Sequence, residues 1–121
     1  MSSTSRIIRL TFLGGALGTA ARFTLSLTLG DVPSIIFVNL LGAALLGWFN
    51  GNTKNDTDVF NTFWKVGFTG GFTTMSAFAS FSVLYMQVLG IWAALATVAI
   101  SALGLGAYAL AFNIAKKKAL A

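Results

Sequence analysis

The chain contains no cysteine, no histidine and only three acidic residues, Asp31, Asp56 and Asp58, against eight Lys and Arg in 121 residues. Without cysteine there can be no disulfide and no thiolate metal site. Without histidine the commonest general base and metal ligand is missing. All three aspartates fall in polar gaps between apolar segments, so no buried carboxylate is available for acid–base or nucleophilic work, and an enzyme has no residues to rest on. Charge is scarce as well: charged residues make up 9% of the chain and apolar ones 56%, where soluble domains carry about a quarter charged residues. The composition is that of a membrane protein, and the length predicts one compact transmembrane domain over residues 1–121 with no separate soluble domain.

A bilayer core needs about 20 apolar residues per helix. Four segments are expected to span, over about 7–29, 34–49, 63–88 and 91–115, giving an all-α membrane fold. No cleavage site follows the first apolar run, so it is expected to be retained as a helix. The second span is short and enters through Pro33, the chain's one proline, a residue suited to a helix start. Residues 50–61, rich in Asn, Asp, Thr and Gly, read as a solvated loop, and the short connections at Gly30–Pro33 and Gln87–Gly90 demand antiparallel neighbours. Four spans put both termini and the 50–61 loop on one side. Arg6, Arg9, Lys54, Lys65, Lys116, Lys117 and Lys118 all lie there, seven basic residues against none opposite. That side is expected to be cytoplasmic, with the protein a multi-pass component of the cell (plasma) membrane. The +5 net charge is therefore a lipid-headgroup signature and not a nucleic-acid footprint.

Three features inside the spans carry chemistry. Arg22 is the one charge in the middle of an apolar stretch; a deep cation without a buried acid suits an anion, and the competing reading is a side chain that snorkels to the interface. The run Gly67-Phe68-Thr69-Gly70-Gly71-Phe72-Thr73-Thr74-Met75-Ser76-Ala77-Phe78 interrupts the third span with glycines and β-branched residues, each glycine costing a helix about 1 kcal/mol. It reads equally as a helix broken mid-membrane, with freed peptide groups turned to an ion, or as a glycine-lined packing groove in an unbroken helix. Asn39 in the second span can donate to an anion or can make an interhelical hydrogen bond. Gly14, Gly15, Gly18, Gly42, Gly47, Gly104 and Gly106 let helix backbones approach closely, a packing signal common to helical membrane proteins.

Gly67-Phe68 followed by Gly70-Gly71-Phe72-Thr73-Thr74 resembles the signature of the Fluc (CrcB) family of small fluoride channels. So do Gly14-Gly15-Ala16-Leu17-Gly18 with Ala21-Arg22, and Val38-Asn39-Leu40-Leu41-Gly42, in register over most of the chain. The resemblance implies an antiparallel dimer with two fluoride pathways. It also implies a structural Na+ held at the dimer centre by the main-chain carbonyls of Gly70 and Thr73. Asn39 would line the pore, Arg22 would attract anions near a vestibule, and Phe78 would be the second of two aromatic rings on the path, which also takes in Thr74, Ser76 and Ser101. The chain departs from the family pattern at Met75, which stands in place of the first ring. It also departs at Ala77 and Ala79, at Phe81 near the usual acidic position, and at Thr97 where a tyrosine is expected.

A self-paired antiparallel dimer needs balanced flanking charge, and this chain is strongly biased. With the lost ring at Met75, the bias points to a homologous, oppositely oriented partner subunit, a heterodimer in place of a homodimer. The expected function is passive, fluoride-selective conduction that exports fluoride from the cytoplasm and relieves its toxicity. Two alternatives stand beside it. One is a non-conducting assembly subunit of such a channel. The other is a small multidrug-type transporter, a class that needs a membrane-embedded glutamate this chain lacks.

Overall fold

The computed structural model describes residues 3–52, 54 and 57–120; Asp56 of the expected polar loop lies outside them. The described residues are all-helical apart from turns and short extended links. Helix α1 (Ser3–Leu29) turns at Gly30, whose φ of 85° requires glycine, into α2 (Asp31–Gly51). A single turn, α3 (Asp58–Phe60), runs directly into a π-helical stretch (Asn61–Phe68) and then α4 (Thr69–Phe72). Helix α5 (Met75–Leu89) follows, and Gly90, φ 62°, turns the chain into α6 (Ile91–Leu120).

By length and composition, Asp31–Gly51, Asp58–Leu89 and Ile91–Leu120 are long and apolar enough to cross a membrane. Three of the four expected spans therefore meet that criterion. Helix α1 does not: its 27 residues include eight Ser and Thr and three Arg, which lower its hydropathy. The second helix is longer than expected, 21 residues, because Asp31 and Val32 join its first turn ahead of Pro33 and the helix runs on to Gly51. The last helix likewise continues through Lys116–Lys118 to Leu120.

Little is buried within one chain. Val38, Phe72, Ala93 and Ala115 are the buried apolar residues among those described, while Phe12, Phe23, Leu27, Val88, Trp92 and Leu105 are largely exposed. Such an outward apolar face requires an apolar surrounding, lipid or another subunit. The helices are held instead by backbone approach at paired small residues. Gly14 and Gly18 of α1 meet the backbone of Phe63, Phe68 and Phe72, while Gly67 and Gly71 meet that of Thr11, Gly14 and Gly15. Each pair is spaced by four, so both glycines of a helix face the same neighbour. Gly47 and Gly51 of α2 repeat the device against the carbonyls of Tyr108 and Phe112 on α6. The π-helical stretch is stabilised locally: Thr69 donates from both its backbone N–H and its hydroxyl to the Trp64 carbonyl. An aromatic ladder, Phe49–Trp64–Phe68–Phe72, runs from α2 along this stretch with centroid separations of 6.2, 5.3 and 5.5 Å.

A Cβ at position 18 would strike the Phe68 carbonyl and the Phe72 amide, and both are backbone atoms that cannot swing away. Gly18→Ala is expected to lower unfolding stability in detergent by about 1–3 kcal/mol, the usual cost of forcing atoms into a closed contact. Gly106, with nothing within 4 Å of the added carbon, is the control: Gly106→Ala should be neutral, or stabilising by up to about 1 kcal/mol through helix propensity.

Candidate functional site

The site follows from where the peptide groups between Gly70 and Ala77 send their hydrogen bonds. The last helical bond of α4 runs from Thr73 N–H to the Thr69 carbonyl at 3.1 Å, and the Thr73 hydroxyl also donates there at 2.8 Å. Thr73 and Thr74 are then extended, with φ/ψ of −89°/160° and −148°/103°. Thr74 N–H, which in a continuing helix would close on the Gly70 carbonyl, donates to Asn39 Oδ1 at 2.8 Å. Asn39 Nδ2 donates in return to the Thr74 carbonyl at 3.0 Å. This exchange fixes which end of the Asn39 amide is oxygen, because Thr74 N–H needs an acceptor and its carbonyl a donor.

One turn further on, Ala77 N–H, which would close on the Thr73 carbonyl, donates to Thr74 Oγ1 at 3.3 Å and so caps α5. The Gly70 and Thr73 carbonyls are thus both released from their helical partners. The Gly71 carbonyl between them is taken by α1, accepting from Arg22 Nε at 3.2 Å and Thr19 Oγ1 at 3.4 Å. A guanidinium at the end of α4 also meets the negative pole of the interrupted helix. Gly42 of α2 leaves the space filled by the Thr73 methyl group.

Beside the interruption lies a cavity of about 320 Å³ between α2, α5 and α6. Asn39, Thr73, Met75, Phe78 and Ser101 line it, so the structure brings five residues predicted from sequence into one place. Thr74 and Ser76 flank it, their hydroxyls 3.4 Å apart. Gly70 is exposed and faces open space. Arg22 stands apart, half-buried, in a second cavity of about 340 Å³ with Thr19, Asp31, Ser34 and Phe81. Sequence reasoning did not single out Thr19 or Ile100. The latter, with Phe78, separates the first cavity from a third, apolar one of about 250 Å³ toward Trp92. Neither carried a signal, since a threonine and an isoleucine in a membrane helix are ordinary.

No lining residue of the first cavity is ionisable, so its polarity comes from amide, hydroxyl and ring edges. The Ser101 hydroxyl donates to the Thr97 carbonyl at 2.9 Å and that of Thr73 to Thr69. A hydroxyl has one hydrogen, so in this arrangement both oxygens present lone pairs to the cavity. The second Nδ2 hydrogen of Asn39 is then the side-chain donor left for an anion, with the electropositive edge of Phe78 beside it. Met75, 74% exposed, supplies a thioether and no ring edge. At the interruption, the Gly70 and Thr73 carbonyls, without helical partners, are hard oxygen donors suited to a small hard cation such as Na+.

Fold and site together define a small helical membrane protein whose third long helix is interrupted at Thr73–Thr74 beside a cavity lined by neutral residues. A family model described as CrcB-like protein, Camphor Resistance (CrcB), matches residues 9–114, and the chain belongs to that family. Among its relatives, a protein of Corynebacterium glutamicum named fluoride-specific ion channel FluC 1 is 46% identical over 53% of this chain and 58% of its own length. Proteins named fluoride-specific ion channel FluC from Enterobacter sp. and Salmonella arizonae are 36% and 37% identical, each over 77% of this chain and 80% of its own length. The chain thus spans less than two thirds of the Corynebacterium relative. No solved structure matches the chain.

Removing the Arg22 guanidinium leaves the Gly71 carbonyl with its weaker donor alone. Arg22→Met is expected to lower unfolding stability in detergent by about 1.5–3 kcal/mol, and Thr19→Val by about 0.5–1.5 kcal/mol, as befits a charged and a neutral hydrogen bond. Equal, negligible effects would mean that Arg22 does not hold the interruption.

Proposed function

We propose that this chain is one subunit of a passive, fluoride-selective channel of the plasma membrane that lets fluoride leave the cytoplasm. The observation that carries the reading is the convergence of Asn39, Met75, Phe78 and Ser101 on one cavity beside an interrupted helix. The naming of several relatives as fluoride-specific channels supports it. Fluoride is small and strongly hydrated, so a pore must replace water with good donors. The Asn39 amide supplies one. The Ser101 hydroxyl supplies another once it rotates away from Thr97, and Phe78 offers its ring edge. Conduction down a gradient needs neither a proton-exchanging acid nor a nucleotide, in keeping with a cavity lined by neutral residues.

In this reading α1, α2, the interrupted Asp58–Leu89 stretch and α6 all cross the bilayer, with both termini and the 50–61 loop in the cytoplasm. Helix α1 can cross despite its polar content because its hydroxyls are used within the protein: those of Thr24, Ser26 and Thr28 bond back to its own carbonyls. Two subunits pair in opposite orientation. The released carbonyls of Gly70 and Thr73 would hold a Na+, whose charge offsets inward carbonyl dipoles that would otherwise repel an anion. The exposed position of Gly70, with nothing within 4 Å on its open side, leaves room for that approach.

The charge bias of seven to none favours a homologous partner of opposite bias over a second copy. Met75 then leaves one pathway short of a ring. That same residue favours the second reading, in which this subunit assembles the channel while its partner conducts.

Purified alone and with its co-expressed homologue, the chain can be tested by fluoride and chloride release from proteoliposomes. The pair is expected to release fluoride and retain chloride. Robust fluoride release by the lone chain would overturn the heterodimer. Phe78→Ile and Asn39→Asp in the pair should each suppress release with assembly intact. Normal release in both variants would move the conducting path out of this subunit and leave the assembly role.

A further inference from the structure

The cation site and the anion donor share a side chain. Asn39 Oδ1 captures the Thr74 N–H that would otherwise return to the Gly70 carbonyl, and Asn39 Nδ2 is held by the Thr74 carbonyl with its second hydrogen left over. Thr74 Oγ1 captures the Ala77 N–H that would otherwise return to the Thr73 carbonyl. The Gly70 and Thr73 carbonyls have thus lost their helical donors to these side chains, which leaves both available to a cation. We infer that Asn39 and Thr74 are positioning residues for the cation site, and that cation occupancy and the orientation of the Asn39 amide are thermodynamically coupled. The inference rests on the reading of Gly70 and Thr73 as the Na+ ligands.

The physical basis is a competition for the same peptide groups. If Asn39 lets go, Thr74 N–H, in a partly buried site of low polarity, must find another acceptor. Its nearest by chain geometry is the Gly70 carbonyl, four residues back. A carbonyl that accepts that bond turns its lone pairs away from an ion. Conversely, a cation on the Gly70 and Thr73 carbonyls withholds them from the helix and leaves Thr74 N–H to Asn39. Such coupling is reciprocal: whatever Asn39 contributes to cation affinity, the cation returns as stabilisation of the amide, which lines the cavity. One prediction is thus that a cation at the centre sharpens an anion donor it never touches.

The test is a Na+ titration of thermal unfolding of the assembled channel, purified in detergent from cells co-expressing the homologous partner. N-methylglucamine holds the ionic strength. A ligand that binds only the folded state raises Tm with its concentration, so the half-stabilising Na+ concentration reports the site without any flux measurement. Asn39→Leu and Thr74→Val are expected to raise that concentration by about tenfold or more, a usual size for coupling between sites. Asn39→Asp keeps an acceptor for Thr74 N–H, and Thr74→Ser keeps the capping hydroxyl; both should stay near the wild-type value, even though the first loses fluoride release.

An unchanged Na+ response in Asn39→Leu and Thr74→Val overturns the inference and leaves the sodium reading standing. A wild-type channel whose melting ignores Na+ overturns both. Should Asn39→Leu fail to assemble, the contrast between Thr74→Val and Thr74→Ser decides the matter.

Discussion

Two hydrogen bonds exchanged between the Asn39 side chain and the Thr74 backbone hold the third long helix open. In an apolar surrounding a peptide N–H without an acceptor costs several kcal/mol, so a helix does not stop unless something takes over its bonds. Here the replacement comes from side chains in place of water. Asn39 answers for Thr74, the Thr74 hydroxyl answers for Ala77, and Arg22 with Thr19 answers for the Gly71 carbonyl. The carbonyls of Gly70 and Thr73, whose helical donors are drawn away in this manner, gain their availability from this arrangement and not from any intrinsic feature of glycine or threonine.

That clasp works only if α1 and α2 stand close to the interruption, and glycine makes the approach possible. Paired glycines on α1 and on the Asn61–Phe72 run bring two backbones into contact, which places Arg22 and Thr19 within reach of Gly71. On α2, Gly42 accommodates the Thr73 methyl, and Asn39, one helical turn earlier, meets Thr74. The glycines and the threonines therefore have separate tasks: the first set the distances, and the second leave the helix. The sequence offered a packing groove and a broken helix as competing accounts of one stretch, yet Gly67 and Gly71 form a groove while Thr73–Thr74 depart from helical geometry two residues later.

Arg22 gains a different emphasis from its surroundings. A deep cation in a protein without deep acids reads from sequence as an anion attractor or as a residue that snorkels. Its Nε bond to the Gly71 carbonyl adds a structural duty to either, since the guanidinium caps the negative end of α4. Arg22 also lines a cavity that holds Asp31, apart from the cavity of Asn39 and Phe78. The charged and the neutral parts of the site are thereby kept in separate compartments.

Much of this was determined by local chemistry that sequence displays directly. Scarce charge and long apolar runs call for helices in lipid, because no other open structure satisfies its own peptide groups there, and Gly30 and Gly90 mark the tight turns between them. Asn39 stood out as an amide within an apolar run, whereas Met75, Phe78 and Ser101 could be named in advance only through the family resemblance. What sequence could not supply was the pairing of groups 35 and 49 residues apart: Asn39 with Thr74, and Arg22 with Gly71. Those depend on how closely helices cross, a property of backbone distance and not of residue type. Only the tertiary structure decided which carbonyls were released, because a peptide oxygen is the same atom in every residue until its neighbour's hydrogen is drawn elsewhere.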